Sequence, residues 1–191
     1  MDNFSLTKKN HKNRQERNKK TAEVFTPDSL VNKMLNKLPK EVWKKDKTFL
    51  DPACGNGQFL IHVLYRKIQK HNKNYPLSLK LASTLLQTIY GVDIMQDNIT
   101  ETRLRLLKMI ELHGCEITKE LIEIVFKNIV WLNPHYYPQG SLDENWNWNF
   151  NKTPKKENIE TWLKNINEGK LLEVNLPIES PSPEINIFSE E

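Results

Sequence analysis

The sequence predicts an α/β fold, a parallel sheet flanked by helices, and three observations predict it. The stretch Thr48-Phe49-Leu50-Asp51-Pro52-Ala53-Cys54-Gly55-Asn56-Gly57-Gln58-Phe59-Leu60 runs from a short apolar strand through a glycine turn into helical spacing. Strand-like and helix-like segments then alternate, which calls for parallel strands joined by right-handed crossovers. The first two strands each end near an acid, Asp51 and Asp93. In sheets of this kind ligands bind in the crevice outside the carboxyl ends of the strands, near the exposed N–H groups of the next helix.

Taken in order, the chain opens with a basic arm, residues 1–20, in which seven Lys or Arg and the single acid Glu16 lie between Lys8 and Lys20. Such an arm suits a phosphate backbone through counterion release, or it is a solvated disordered tail. The domain proper is expected over residues 21–150. Thr26 is a fitting N-cap, Pro27 fits the first helical position, and Asp28 complements the helix dipole. Leu30, Val31, Met34, Leu35 and Leu38 recur at helical spacing until Pro39. A strand from Lys47 to Asp51 follows, then a helix from about Gln58 with Phe59, Leu60, Val63, Leu64 and Ile68 on one face.

Leu77 to Leu86 reads as a shorter helix, and Thr88-Ile89-Tyr90-Gly91-Val92-Asp93-Ile94 as a β-rich strand. The helix from Gln96 to Leu112 carries the stripe Ile99, Leu106, Leu107 and Ile110, with Arg103, Arg105 and Lys108 read as a solvated face. A short helix over Thr118–Phe126 leads to a third strand, Asn128–Leu132, and the alternating Trp146-Asn147-Trp148-Asn149-Phe150 suits a fourth. Residues 151–191 are expected to be a poorly structured extension holding at most a short helix over Ile159–Ile166.

At 191 residues with 38% apolar composition, one domain with tails is expected. The formal charge of +4 is mild. Two cysteines, Cys54 and Cys115, give neither a disulfide framework nor a metal-ligand spacing, so no metal is expected. No apolar stretch of signal-peptide or membrane-span length occurs, and a soluble cytoplasmic protein without a membrane partner is expected.

Three ligands were weighed for the glycine turn. A dinucleotide calls for G-x-G-x-x-G, but Leu60 stands at the third glycine and Asp93 comes late for the ribose acid. A P-loop fails because no Gly-Lys-Ser/Thr follows. A carboxylate at Asp51 repels phosphates and attracts a cation, while Asp93 suits ribose hydroxyls. S-adenosylmethionine, with its ammonium, sulfonium and free ribose, matches the two acids better than NAD or ATP.

Asp51-Pro52-Ala53-Cys54-Gly55-Asn56-Gly57-Gln58-Phe59-Leu60 resembles motif I of the amino-methylating DNA methyltransferases, in particular the adenine-N6 class. Glu23-Val24-Phe25-Thr26-Pro27 resembles the segment before that motif, and Tyr90-Gly91-Val92-Asp93-Ile94 resembles motif II. The resemblance implies a class I methyltransferase, Rossmann-like fold with S-adenosyl-L-methionine as cofactor. It places Phe25, Thr26, Asp51, Ala53, Gly55 and Gly57 around the amino-acid end, Asp93 on the ribose and Ile94 against the adenine. It also implies some seven strands where three or four are readable, so the sheet is expected to be incomplete on its C-terminal side and the chain truncated or split.

Adenine methylation also requires a flipped base held beside the methyl group. In the family an Asn or Asp, two prolines and an aromatic residue hold it. The nearest match here is Asn133-Pro134-His135-Tyr136, with His135 at the second proline and the third strand, not the fourth, before it. The resemblance makes Asn133, Pro134 and Tyr136 candidate catalytic residues, with Asn133 alternatively a contact to the cofactor adenine. The leading expectation is an enzyme methylating adenine N6 in DNA. The alternatives are an RNA adenine methyltransferase, and a non-catalytic cofactor- or partner-binding protein that lacks a complete base pocket; a second chain is the partner that could supply the rest of the pocket.

Overall fold

The computed structural model describes residues 26–131, 156–169 and 176. Helix α1 (Asp28–Leu35) and one 3-10 turn (Lys40–Trp43) precede strand β1 (Phe49–Asp51). Helices α2 (Gln58–His71) and α3 (Leu79–Leu86), strand β2 (Ile89–Asp93), helices α4 (Gln96–Leu112) and α5 (Lys119–Asn128), strand β3 (Ile129–Trp131) and helix α6 (Lys156–Asn167) follow. The described strands form one parallel sheet in the order β1-β2-β3. Asp51 stands opposite Gly91, and β2 continues to Asp93, which stands opposite Trp131. The strand ends therefore form a staggered ledge with both acids on it.

Every residue of β2 is buried, as a central parallel strand covered on both faces requires. Helix α2 sinks Leu60, Ile61, Leu64 and Ile68 into the core, and α4 sinks Ile99, Leu106, Leu107 and Ile110. Each such side chain contributes roughly 1.5–3 kcal/mol by leaving water. The predicted elements recur here with ends shifted by a few residues. The proposed fourth strand, Trp146–Phe150, and the basic arm lie outside the described residues.

Three expectations need correction. Pro27, not Thr26, is the N-cap of α1, with φ −61° and ψ 146°. The carbonyl of Pro27 accepts the first helical N–H groups, from Leu30 at 2.9 Å and Val31 at 3.0 Å, so the ladder starts one residue later than the capping chemistry suggested. The apolar run of α1 is also divided: Val31 and Leu35 are buried, whereas Leu30, Met34 and Leu38 are exposed, because α1 packs through one face only.

Arg103 and Arg105 are not a solvated face. Arg103 donates from Nε and Nη2 to the Ile129 carbonyl at 2.9 and 2.6 Å, closes over the Phe126 ring, and burial draws its pKa down to about 10. Carbonyls at the end of α5 need donors, and the buried guanidinium supplies them. Helix α6 covers the short helix expected over Ile159–Ile166; Ile159, Trp162 and Ile166 join the core and Trp162 meets Phe126 edge-to-face at 4.9 Å. For residues 156–169 an apolar helix face overrode a polar composition.

At the amino ends of the strands sits Lys67, fully buried. Its Nζ donates to the Lys47 carbonyl at 2.6 Å, to Thr88 Oγ1 at 2.5 Å and to the Lys45 carbonyl at 3.3 Å. The ammonium thus stitches the start of β1 to the start of β2. Burial lowers its pKa from 10.5 to about 8, against a smaller opposing pull from Asp46. Below pH 8 the lysine is charged in both folded and unfolded chains. Between about 8 and 10.5 the unfolded chain binds more protons, so rising pH favours the folded state through this group. Urea midpoints of wild type and Lys67→Met compared from pH 7 to 10.5 should show a constant difference below pH 8 and a growing advantage for wild type above it. A difference that stays flat across the whole range would refute this role for the ammonium.

Candidate cofactor site

The turn from Asp51 to Gln58 is built by backbone conformation and close approach. Gly55 and Gly57 have φ of 52° and 80°, and Gly57 is the N-cap of α2. Left-handed backbone of this kind suits glycine. Space at Gly57 is also closed: a Cβ there would lie 2.6 Å from Thr102 Cγ2, so α4 crosses directly against the turn. Thr102 Oγ1 donates to the Gly55 carbonyl at 3.0 Å. Gly91 does the same service from below, because a Cβ there would meet Leu60 at 2.7 Å and the Cys54 sulfur at 3.1 Å. The Cys54 N–H donates to the Val92 carbonyl at 2.9 Å, extending the β1–β2 pairing into the turn.

Two carboxylates organise this ledge. Asp51 Oδ1 accepts the Ala53 N–H at 3.2 Å, which fixes the first bend. Asp93 Oδ2 accepts the Gly55 N–H at 2.9 Å, while its Oδ1 accepts the Met95 N–H at 2.8 Å and the Asn98 amide at 3.3 Å. Asp93 therefore ties the first strand-to-helix turn to the start of α4, whose N-cap Met95 has no capping side chain. A carboxylate offers about four acceptor positions, so Oδ2 keeps one for a ligand.

Burial raises the pKa of Asp51, the Ala53 N–H lowers it in part, and the charge of Asp93 raises it again. Among the described residues no basic side chain pairs with either acid. The result is a locally negative ledge suited to a cationic group. Cys54, buried in the same turn, has its thiol pushed well above the usual range by burial and by the charges of Asp51 and Asp93. It is a packing group and not a thiolate nucleophile.

The structure thus brings Asp51, Ala53, Gly55, Gly57 and Asp93 together, with Ile94 directly after. Thr26, half-buried, precedes α1, whose Asp28 is bonded to Gln58 at the start of α2. Phe25 and the candidate catalytic residues Asn133, Pro134 and Tyr136 lie outside the described residues.

One side chain was missed from sequence. Trp131, at the end of β3, is 61% exposed, and its indole N–H donates to the Ile94 carbonyl at 2.9 Å. Ile94 is 54% exposed. Together they form a pinned apolar shelf beside Asp93. The signal in the sequence is an aromatic residue closing the third strand, which strand periodicity alone does not separate from core.

The family profile described as N-6 DNA Methylase matches residues 10–168 of the chain. No curated relative and no solved structure matches it.

The turn itself can be tested. Gly57→Ala must place a side chain at positive φ and against Thr102, and a loss of about 2–4 kcal/mol is expected. Adding Thr102→Ala should return part of that loss by relieving the contact but not the backbone strain. Chemical denaturation of the two single variants and the double variant measures both. Strict additivity would mean that α4 does not constrain the turn.

Proposed function

The chain belongs to the N-6 DNA methylase family, and from that membership we propose how its cofactor ledge and acceptor pocket are divided along the sequence. The family makes it an S-adenosyl-L-methionine-dependent methyltransferase that acts on adenine N6 in DNA. The chemistry of the donor set fits that cofactor, because two acids, neither with a basic partner among the described residues, converge on the backbone of the turn at Ala53 and Gly55. This convergence is the observation that carries the assignment of residues. S-adenosyl-L-methionine supplies an electrophilic methyl group when bound.

In our assignment Asp51 and the backbone of Ala53, Gly55 and Gly57 hold the amino-acid end, with Phe25 and Thr26 closing over it. Asp93 takes one ribose hydroxyl on the acceptor position left at Oδ2. Ile94 and Trp131 form the apolar wall for the adenine ring. The wall costs little to desolvate, since both side chains already present apolar surface and Trp131 has its N–H satisfied. The acceptor base is assigned to Asn133, Pro134 and Tyr136. The Asn133 side-chain oxygen and the Pro134 carbonyl would accept hydrogen bonds from the amino group, and Tyr136 would stack on the ring. The basic arm from Lys8 to Lys20 is assigned to the phosphate backbone. Among the described residues no helix is long and apolar enough to cross a membrane.

The test is methyl transfer from tritiated cofactor to mixed-sequence DNA, read together with cofactor titration calorimetry. Transfer to adenine N6 is expected. Binding without transfer would move the acceptor pocket onto a second chain. Asp93→Asn keeps the side chain's shape while removing its charge, and cofactor affinity is expected to fall roughly 10- to 100-fold, the scale of charge-assisted hydrogen bonds. Unchanged affinity would leave Asp93 as a tie between turns only.

A further inference from the structure

We infer that Asp28, His62, Gln58 and Arg105 form a positioning network that sets the Thr26-Pro27 segment against the glycine turn. The inference rests on the cofactor reading of that turn and adds residues to it. Asp28, the first residue of α1, accepts on a single oxygen from two side chains of α2. One is Gln58, the first residue after the turn, and the other is His62 Nε2 at 2.8 Å. The Gln58 Oε1 in turn accepts Arg105 Nη2 from α4 at 2.9 Å, and Arg105 Nη1 donates to the Asn56 carbonyl inside the turn at 2.6 Å.

The polarity of the chain of bonds is fixed at every link. A guanidinium can only donate and a carboxylate can only accept, so Gln58 has one orientation that serves both, amide nitrogen to Asp28 and amide oxygen to Arg105. His62 is 3% exposed and Arg105 is 3% exposed, so both act away from solvent. Four pieces meet here: the start of α1, the turn, the start of α2 and the middle of α4.

The fold makes α1 depend on this bond. Its N-cap Pro27 has no side-chain hydrogen bond, it is eight residues long, and only Val31 and Leu35 of it are buried. A second latch lies one turn further on, where Arg66 Nη2 donates to Asn32 Oδ1 at 2.9 Å. Asp28 and Asn32 are four apart on α1, and His62 and Arg66 are four apart on α2, so the two helices align rung to rung. Only the first rung continues to the turn. The place of Thr26, two residues before Asp28, is therefore set by the same bonds that set Asn56.

The experiment is steady-state kinetics of DNA methylation by the full chain, with melting temperature recorded for every variant. His62→Leu and Asp28→Ala should each raise KM for S-adenosyl-L-methionine about tenfold, the scale of one lost hydrogen bond to a charged group, with kcat within about twofold. His62→Gln, which restores an amide donor at similar reach, should return KM to near the wild-type value. Asn32→Ala cuts only the second latch, and it should lower the melting temperature without moving KM. The inference is overturned if KM follows melting temperature across all four variants, or if His62→Leu and Asp28→Ala lower kcat alone, as loss of folded enzyme would. It is also overturned if Asp28→Asn, which keeps the size and an acceptor oxygen, folds and behaves worse than Asp28→Ala. A wild-type chain that neither binds the cofactor nor transfers methyl would instead defeat the reading of the turn, which is visible before any variant is made.

Discussion

The ledge at the carboxyl ends of the strands depends on one buried carboxylate. Asp93 is placed by β2, whose residues are all buried, and it spends three acceptor positions inside the protein. Through Gly55 it fixes the turn after β1, and through Met95 and Asn98 it fixes the entry of α4. Once α4 is set, Thr102 meets Gly57 and Arg105 reaches Asn56, so the turn is gripped from three directions. A carboxylate in so dry a place is tolerable because its charge is met by N–H donors rather than left to the low dielectric.

The opposite end of the same strands is organised by the opposite charge. Lys67 closes the amino ends of β1 and β2 through the Lys45 and Lys47 carbonyls and the Thr88 hydroxyl, and Asp51 and Asp93 close the carboxyl ends with backbone N–H groups. Each buried charge thus satisfies the backbone groups that the adjoining turns leave unpaired. The two ends differ in what is left over. The carbonyl nest has a cation within it and needs nothing more, whereas the acids keep negative charge and acceptor capacity facing the crevice. That asymmetry is the physical ground on which our assignment puts the ligand at the carboxyl ends, as ligands lie in such folds generally.

Much of this was legible in the sequence, because the governing patterns are local. The strand, glycine turn and helix from Phe49 to Ile68, the acid at Asp93 and the helix Gln96–Leu112 follow from periodicity and from residues with restricted or permissive backbones. What failed was of one kind. Arg103 and Arg105 looked solvated because charge at helical spacing between apolar residues normally is, and only the nearby carbonyls of Ile129 and Asn56 make their burial favourable. Asp28 was legible as a helix-dipole residue but not as the partner of His62, thirty-four positions away. Trp131 and helix α6 follow the same rule: their roles come from Ile94 and Phe126, contacts that no local window contains. The candidate residues on the acceptor side, Asn133, Pro134 and Tyr136, gain nothing from such local patterns, since their reading came from resemblance alone.

The charge division along the chain bears on how a cation and a polyanion are handled by one protein. The net charge of +4 hides a cationic segment between Lys8 and Lys20 and an acidic ledge at Asp51 and Asp93. At physiological salt, exposed charges farther apart than about 8 Å are largely screened. In our assignment the attraction of the Lys8–Lys20 segment for phosphate would weaken with salt, while the half-buried Asp51 and buried Asp93 would act on the cofactor through a less screened field. A duplex held by the arm would leave the ledge negative, and the ledge would repel phosphate from the place where a sulfonium must sit. In our assignment, acids set in a partly buried ledge and lysines set in a separate stretch of the sequence would let each charge address its own ligand.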